Sequence, residues 1–338
     1  MSQAAYIPEL LESINPAYDS IKSPYTVKGK IRFIDLFAGI GGMRLAFEDS
    51  NSQCVFSCEW DSHAQKTYQA NFYETPCGDI NKIQPDEIPD HEILLAGFPC
   101  QPFSAIGKRE GFLHKTQGAL FYSIAKILEA KRTLCFLLEN VPGLLTNDQG
   151  KTFQIILKTL DELNYDVRYA TLDAADFGLP QHRKRIYIVG FNREYLEKRM
   201  DFYFPQGNNN TVFINQFLES NATGYSISKH LQQTYLFKKD DGKPQIVDKN
   251  SQLKVKTLAS TYHKIQRLTG TFVRDGDTGI RLLSERECKA IMGFPDDFII
   301  PVSRTQMYRQ LGNSVAIPVV RAIAKKIYLK LGTVIKQI

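Results

Sequence analysis

Ile31-Arg32-Phe33-Ile34-Asp35-Leu36-Phe37-Ala38-Gly39-Ile40-Gly41-Gly42-Met43-Arg44-Leu45-Ala46-Phe47 sets an apolar run, a glycine-dense turn and an amphipathic stretch in immediate succession. Hydrophobic periodicity reads this as strand, turn and helix. Glycine at 39, 41 and 42 lets the backbone turn sharply and lets a ligand approach the main chain, while the helix start offers free amides. The spacing is not the dinucleotide G-x-G-x-x-G, so the turn by itself announces a nucleotide-type loop without naming its ligand.

A second apolar strand, Cys54-Val55-Phe56-Ser57-Cys58, ends in Glu59-Trp60-Asp61, where an acid is placed to hold ribose hydroxyls. Asp79, in Gly78-Asp79-Ile80, follows the next short apolar turn and is placed to receive the amino group of an adenine. A third buried-strand pattern leads into Ala96-Gly97-Phe98-Pro99-Cys100-Gln101-Pro102-Phe103-Ser104. The two prolines stop the strand at Phe98 and fix the backbone on both sides of Cys100, so its thiol emerges at the carboxyl end of a sheet, where open α/β folds place ligands. That setting marks Cys100 as a candidate nucleophile.

From Ile31 to about Phe191 strands alternate with helical stretches such as Leu120 to Ala130 and Thr152 to Leu163. The rhythm predicts a parallel sheet with helices on both faces. It breaks at Gly207-Asn208-Asn209-Asn210-Thr211, a loop signal, and does not return before Arg281. The expected organisation is an extension over 1–30, a catalytic domain over 31–200, a second domain over 201–303, and a segment over 304–338 that returns to the first. An amphipathic helix is expected from Val315 to Lys330. Between Lys254 and Arg274 the basic residues Lys254, Lys256, Lys264, Arg267 and Arg274 occur without an acid, interleaved with Tyr262, His263 and Phe272.

The whole-chain numbers fit a nucleic-acid partner without requiring one: 42 basic against 36 acidic residues among 338 give a formal charge of +6. The six cysteines, at 54, 58, 77, 100, 135 and 288, include no C-x-x-C, so no metal is expected and a reducing compartment is favoured. No leader and no apolar run near the ~18 residues of a membrane span stand out, so a cytoplasmic location is expected.

Together these stretches resemble the bacterial cytosine-5 DNA methyltransferases, in the family's order and over most of the chain. Phe37 to Gly42 is similar to the family's S-adenosylmethionine loop, and Gly97 to Ser104 to its nucleophile motif. Glu139-Asn140-Val141, after Leu134 to Leu138, resembles the carboxylate motif, and Gln181-His182-Arg183-Lys184-Arg185 the paired-arginine motif. Arg281 to Cys288 with Gly293-Phe294-Pro295-Asp296, and then Gln310 to Pro318, resemble the last two.

The resemblance implies an α/β fold of the Rossmann-like, doubly wound, mostly parallel kind of class I methyltransferases, with a smaller, irregular, β-rich target recognition domain. It implies S-adenosylmethionine as cofactor, double-stranded DNA as partner, a monomer, and a role alone or beside a restriction endonuclease acting on the same site. It gives catalysis to Cys100, Glu139, Arg183 and Arg185. Cofactor contacts fall to Phe37, Ala38, Gly39, Gly41, Gly42, Glu59, Trp60, Asp79, Ile80, Pro99, Leu120, Asn313, Ser314 and Val315. DNA contacts fall to Ser104, Lys108, Arg109, Asn140, Thr257, Lys264 and Arg267, the first three in a basic glycine-containing segment that reads as a lid.

The chemistry needs these residue types. Carbon 5 of cytosine is too electron-poor to attack a methyl sulfonium unaided, so a thiolate first adds at carbon 6, and an acid relieves the charge at ring nitrogen 3. For Glu139 to donate there it must carry a proton, which burial favours. Two other readings stay open at this point: a transfer-RNA cytosine methyltransferase on the same fold, and a catalytically silent nucleic-acid-binding homologue.

Overall fold

The computed structural model describes residues 30–99, 119–195, 201–208 and 211–335. Six strands form the main sheet: β1 (Ile31–Leu36), β2 (Ser52–Cys58), β3 (Ile93–Gly97), β4 (Cys135–Asn140), β5 (Tyr165–Asp173) and β6 (Lys184–Asn192). Their order is β2-β1-β3-β4-β6-β5. The first four pair in parallel, and β6 runs antiparallel to both its neighbours.

The central strands explain themselves. Every residue of Cys135-Phe136-Leu137-Leu138-Glu139-Asn140 is buried, as expected of a strand covered on both faces. Phe33, Leu95, Leu137, Tyr187 and Val189 pack on one face against α1 (Gly42–Phe47) and the long helix α7 (Ile317–Ile335). Ile34, Leu94, Leu138 and Ile188 pack on the other against α3 (Ala119–Lys131) and α4 (Lys151–Glu162). Between them in the chain, α2 (Ser62–Phe72) follows β2, with Asp61 capping it through the His63 and Ala64 amides. β5 escapes the sequence reading because it is an edge strand, half exposed along most of its length and polar at alternate positions.

The chain steps from β1 outward to β2 and then crosses to β3 on the other side of β1. The order therefore reverses between β1 and β3, the position at which a doubly wound sheet opens a crevice for ligands. The loops leaving these two strands are the glycine turn and the segment that carries Cys100.

Residues 211–303 contribute one small parallel sheet, β7 (Gln245–Val247) with β8 (Thr271–Val273), and otherwise turns. The β content of this region is small. Its apolar residues Leu258, Tyr262 and Phe272 belong to the same core cluster as one face of the main sheet. A buried ion pair fixes the way out of this region: Arg281 and Glu287 are both fully buried and meet at 2.8 Å. Ser284 caps α5 (Glu285–Met292) in a reciprocal box with Glu287. The helix α6 (Arg304–Asn313) then leads into α7.

Candidate active site

The glycine turn is held from three sides. Phe37 takes a left-handed φ of 55°, a strained geometry for a side chain of this size. The Ala38 amide donates to the Cys58 carbonyl at 3.0 Å, which ties the turn to β2. Glu59 accepts the Gly39 and Asp61 amides, each at 2.8 Å. Burial raises the Glu59 carboxyl pKa despite these bonds. A Cβ built on Gly42 would lie 2.6 Å from Ser314 Oγ, so the segment before α7 presses on the turn where only a glycine fits. Gly39 has open space where its Cβ would be.

Most of the residues expected to hold the cofactor lie in the segments that follow β1 and β2 and in the turn before α7. Trp60 is 82% exposed beyond Glu59, an indole face presented to solvent. Asp79 caps a short turn through the Asn81 amide and stays partly exposed, with Ile80 buried in the core beneath it. Pro99 and Asn313 are exposed, Leu120 is half-buried and Val315 is buried against Gly42. An open glycine, an exposed indole and carboxylates at the crevice rim fit an adenosyl group carrying a short charged tail.

The second half of the site lies across β3, β4 and β6. Gly97 pairs with Glu139, and Glu139 lies opposite Tyr187. A Cβ on Gly97 would stand 3.7 Å from Glu139 Oε2, so the carboxyl group reaches the end of the strand that leads into Pro99 and Cys100. Arg185 Nε meets Glu139 Oε1 at 3.0 Å. Burial pushes the Glu139 carboxyl pKa up, and the Arg185 and Arg183 charges pull against it without reversing the shift.

Three expectations are corrected. Asn140 is buried, with its amide donating to the Phe98 carbonyl at 2.9 Å and its oxygen accepting the Val141 amide at 2.8 Å. It ties the end of β4 to the segment that follows β3, and its side chain is engaged within the protein. Arg267 is also buried. Its guanidinium donates to Asp241 and to the carbonyls of Leu236 and Lys239, so it secures its own loop.

Arg183, expected in catalysis beside Arg185, has its guanidinium engaged by the protein's own main chain. It is buried and donates to the Leu258 and Gly312 carbonyls at 3.1 and 3.0 Å and to the Ser314 carbonyl. Thr257 bonds the His182 carbonyl through its hydroxyl at 2.6 Å, while Lys264 is exposed. Cys100, Ser104, Lys108 and Arg109, and with them the basic glycine-containing segment, lie outside the described residues.

Sequence reading passed over Gln181, which is fully buried. It accepts the Leu258 amide at 2.7 Å and donates to the Ile291 carbonyl at 2.9 Å, joining three distant segments. It also passed over Asp35, whose fully buried carboxylate lies beneath the glycine turn. Gln181 bears no periodic or charge signal of its own, whereas Asp35 stands out as the one acid in the strand Ile31–Leu36.

A mostly parallel sheet with a glycine turn after β1, an acid after β2 and a buried acid–arginine pair between β4 and β6 defines a Rossmann-like methyltransferase fold. The family model of the C-5 cytosine-specific DNA methylases matches residues 31–329, and the chain belongs to that family. It is 59% identical over 306 residues to the Type II methyltransferase M.MspI of Moraxella sp, covering 90% of this chain and 72% of that protein. It is 62% identical over 296 residues to the Type II methyltransferase M.BsuFI of Bacillus subtilis, covering 87% and 72%. Among solved structures, a DNMT2 mutant from Spodoptera frugiperda shares the fold with a TM-score of 0.73 at 23% identity, over 88% of this chain and all of that one. No described helix is long and apolar enough to cross a membrane.

Proposed function

We propose that the chain is a sequence-specific DNA (cytosine-5) methyltransferase that uses S-adenosylmethionine and acts on a cytosine swung out of the duplex. The observation that carries the catalytic assignment is the buried Glu139 at the end of β4, aligned with the β3 terminus that leads to Cys100. Family membership and the two Type II methyltransferase relatives support the choice of DNA.

In this reading Cys100 adds through its thiolate to carbon 6 of the flipped base, a conformation that costs a few kcal/mol of unstacking. Glu139 donates its proton at ring nitrogen 3, and Arg185, whose Nη1 is itself held by the Lys184 carbonyl, keeps Glu139 in line through Nε. Bound S-adenosylmethionine supplies the methyl group that carbon 5 accepts. Loss of the carbon 5 proton to water, expulsion of Cys100 as thiolate and return of the nitrogen 3 proton to Glu139 then restore the neutral ring. Phe37 to Gly42, Glu59, Trp60, Asp79 and Ser314 to Val315 would hold the cofactor, with Glu59 serving the ribose and Trp60 the adenine face.

Residues 201–303 are assigned to target reading, with Lys264 and the exposed basic side chains near it contacting phosphates. The protein acts as a cytoplasmic monomer, alone or with a restriction endonuclease of the same specificity.

Bisulfite sequencing of DNA from a host expressing the chain tests the activity and reports the target together. Conversion-resistant cytosines at one sequence are expected, absent with Cys100→Ala. Initial rates on duplex DNA against bulk transfer RNA decide the substrate, and a strong RNA preference overturns the assignment.

A further inference from the structure

Gln181, His182, Arg183 and Lys184 alternate between inside and outside: the first and third are buried, the second and fourth exposed. The inward pair ties the scaffold together, as described above. His182 faces outward and is nevertheless held. Its amide donates to the Val255 carbonyl at 2.9 Å, and its carbonyl accepts the Thr257 hydroxyl at 2.6 Å. Its Nδ1 lies 3.1 Å from Asp173 Oδ2, with the histidine side chain 61% exposed and the aspartate 10%.

Asp173 is itself fixed, because its other oxygen accepts the Arg183 and Ala175 amides at 2.9 and 3.2 Å. Burial pushes its carboxyl pKa up, but the His182 bond and the two amides outweigh that and hold it below the ordinary carboxylate range. With Nδ1 engaged, Nε2 is the ring atom left for solvent. The backbone of His182 is held at two points and its exposed ring at one, by Asp173, and a ring that buries little apolar surface gains little from packing in return for its lost freedom. Its place accounts for the restraint: three residues on, Arg185 grips Glu139, and the bonds to Val255 and Thr257 put His182 on the seam between the sheet and the region assigned to target reading.

We infer that His182, oriented by Asp173 and flanked by Lys184, is a phosphate-binding position beside the target-base pocket. The inference rests on the proposed activity on duplex DNA. A ring donating Nδ1–H to a carboxylate and Nε2–H to a phosphate is a cation making two charge-assisted bonds, and its binding releases a counterion. The charged groups around it are Asp173 at the end of β5, Lys184 at the start of β6, and Lys254, whose ammonium is engaged by the Ala175 carbonyl at 2.6 Å. Such a contact positions the duplex without reading sequence.

The test uses the full chain, a duplex oligonucleotide carrying the target found by bisulfite sequencing, and binding measured across a salt series. His182→Asn is expected to raise KM for duplex more than it lowers kcat, and to reduce the slope of log affinity against log salt by about 0.9, the value of one phosphate contact. His182→Arg is expected to restore the slope. A His182→Asn slope equal to that of the wild type, in a wild-type chain that methylates duplex DNA, overturns this inference alone. A wild-type chain inactive on duplex DNA overturns the proposed function instead.

Discussion

Glu139 and Arg185 meet across two antiparallel strands, with Oε1 3.0 Å from Nε, in a setting where burial and pairing act in opposite directions on the same proton. Burial wins, and the carboxyl pKa lies above its ordinary value. An acid that must donate to a ring nitrogen at neutral pH needs that outcome, while the arginine keeps it aimed.

Replacement of Glu139 by glutamine is therefore expected to lower kcat by about 100- to 10,000-fold, the usual worth of a positioned general acid. Cofactor affinity measured by calorimetry should be nearly unchanged. Because the folded-state pKa is raised, the active protonated form persists to higher pH than an ordinary carboxyl allows, and turnover should fall as pH rises through that value. A wild-type rate that climbs with pH over the same range would contradict the assigned role.

Asp35 supplies a stability prediction. Its burial raises the carboxyl to about 7, the Arg44 backbone amide and the Arg44 charge offsetting only part of the effect. The unfolded chain titrates near 3.9, so between about 4 and 7 the folded state holds more protons, and stability falls as pH rises across that window. Asp35→Asn should flatten the dependence and raise the melting temperature of the ligand-free protein at pH 8 relative to wild type. Parallel melting curves for the two proteins from pH 5 to pH 8 would rule the idea out.

Gly42→Ala drives a methyl group toward Ser314 Oγ and Val315, 2.6 and 3.1 Å from the ideal Cβ position. Overpacking of this kind costs about 1–3 kcal/mol. The affected contact is the one that closes the glycine turn, so the KM for S-adenosylmethionine should rise more than the KM for DNA. Initial rates with each substrate varied in turn distinguish the two.

Arg281→Met leaves Glu287 buried without its partner and exposes Asp275 to the same loss. Removing one side of a fully buried ion pair typically costs about 3–5 kcal/mol. Urea denaturation should show a destabilisation of that order, and a midpoint equal to wild type would mean that the pair is not what fixes this turn.

Much of the fold was legible because the strands that matter are continuous apolar runs ending in glycine, proline or an acid. β1, β3 and β4 announce themselves that way, and the helices found at Ala119–Lys131 and Lys151–Glu162 lie within a residue of their expected limits. β5 was hidden because an edge strand with polar alternate positions resembles a loop. At the site, the exposure of Trp60 and the burial of Glu59 and Glu139, two residues at strand exits and one at a strand end, follow from their place in the sheet. Residue type misplaced Asn140, Arg183 and Arg267, because whether a polar side chain serves a ligand or a carbonyl is decided by segments distant in sequence, from 28 residues for Arg267 and Lys239 to 129 for Arg183 and Gly312.

The three oxygens that Arg183 grips, on Leu258, Gly312 and Ser314, all belong to the main chain. A clasp on carbonyls is blind to what the side chains at those positions are. The side chains around residue 258 can thus vary while the segment docks in the same register, so long as its backbone follows the same path. One buried cation in this way makes the docking of residue 258 against the main sheet insensitive to side-chain change around it.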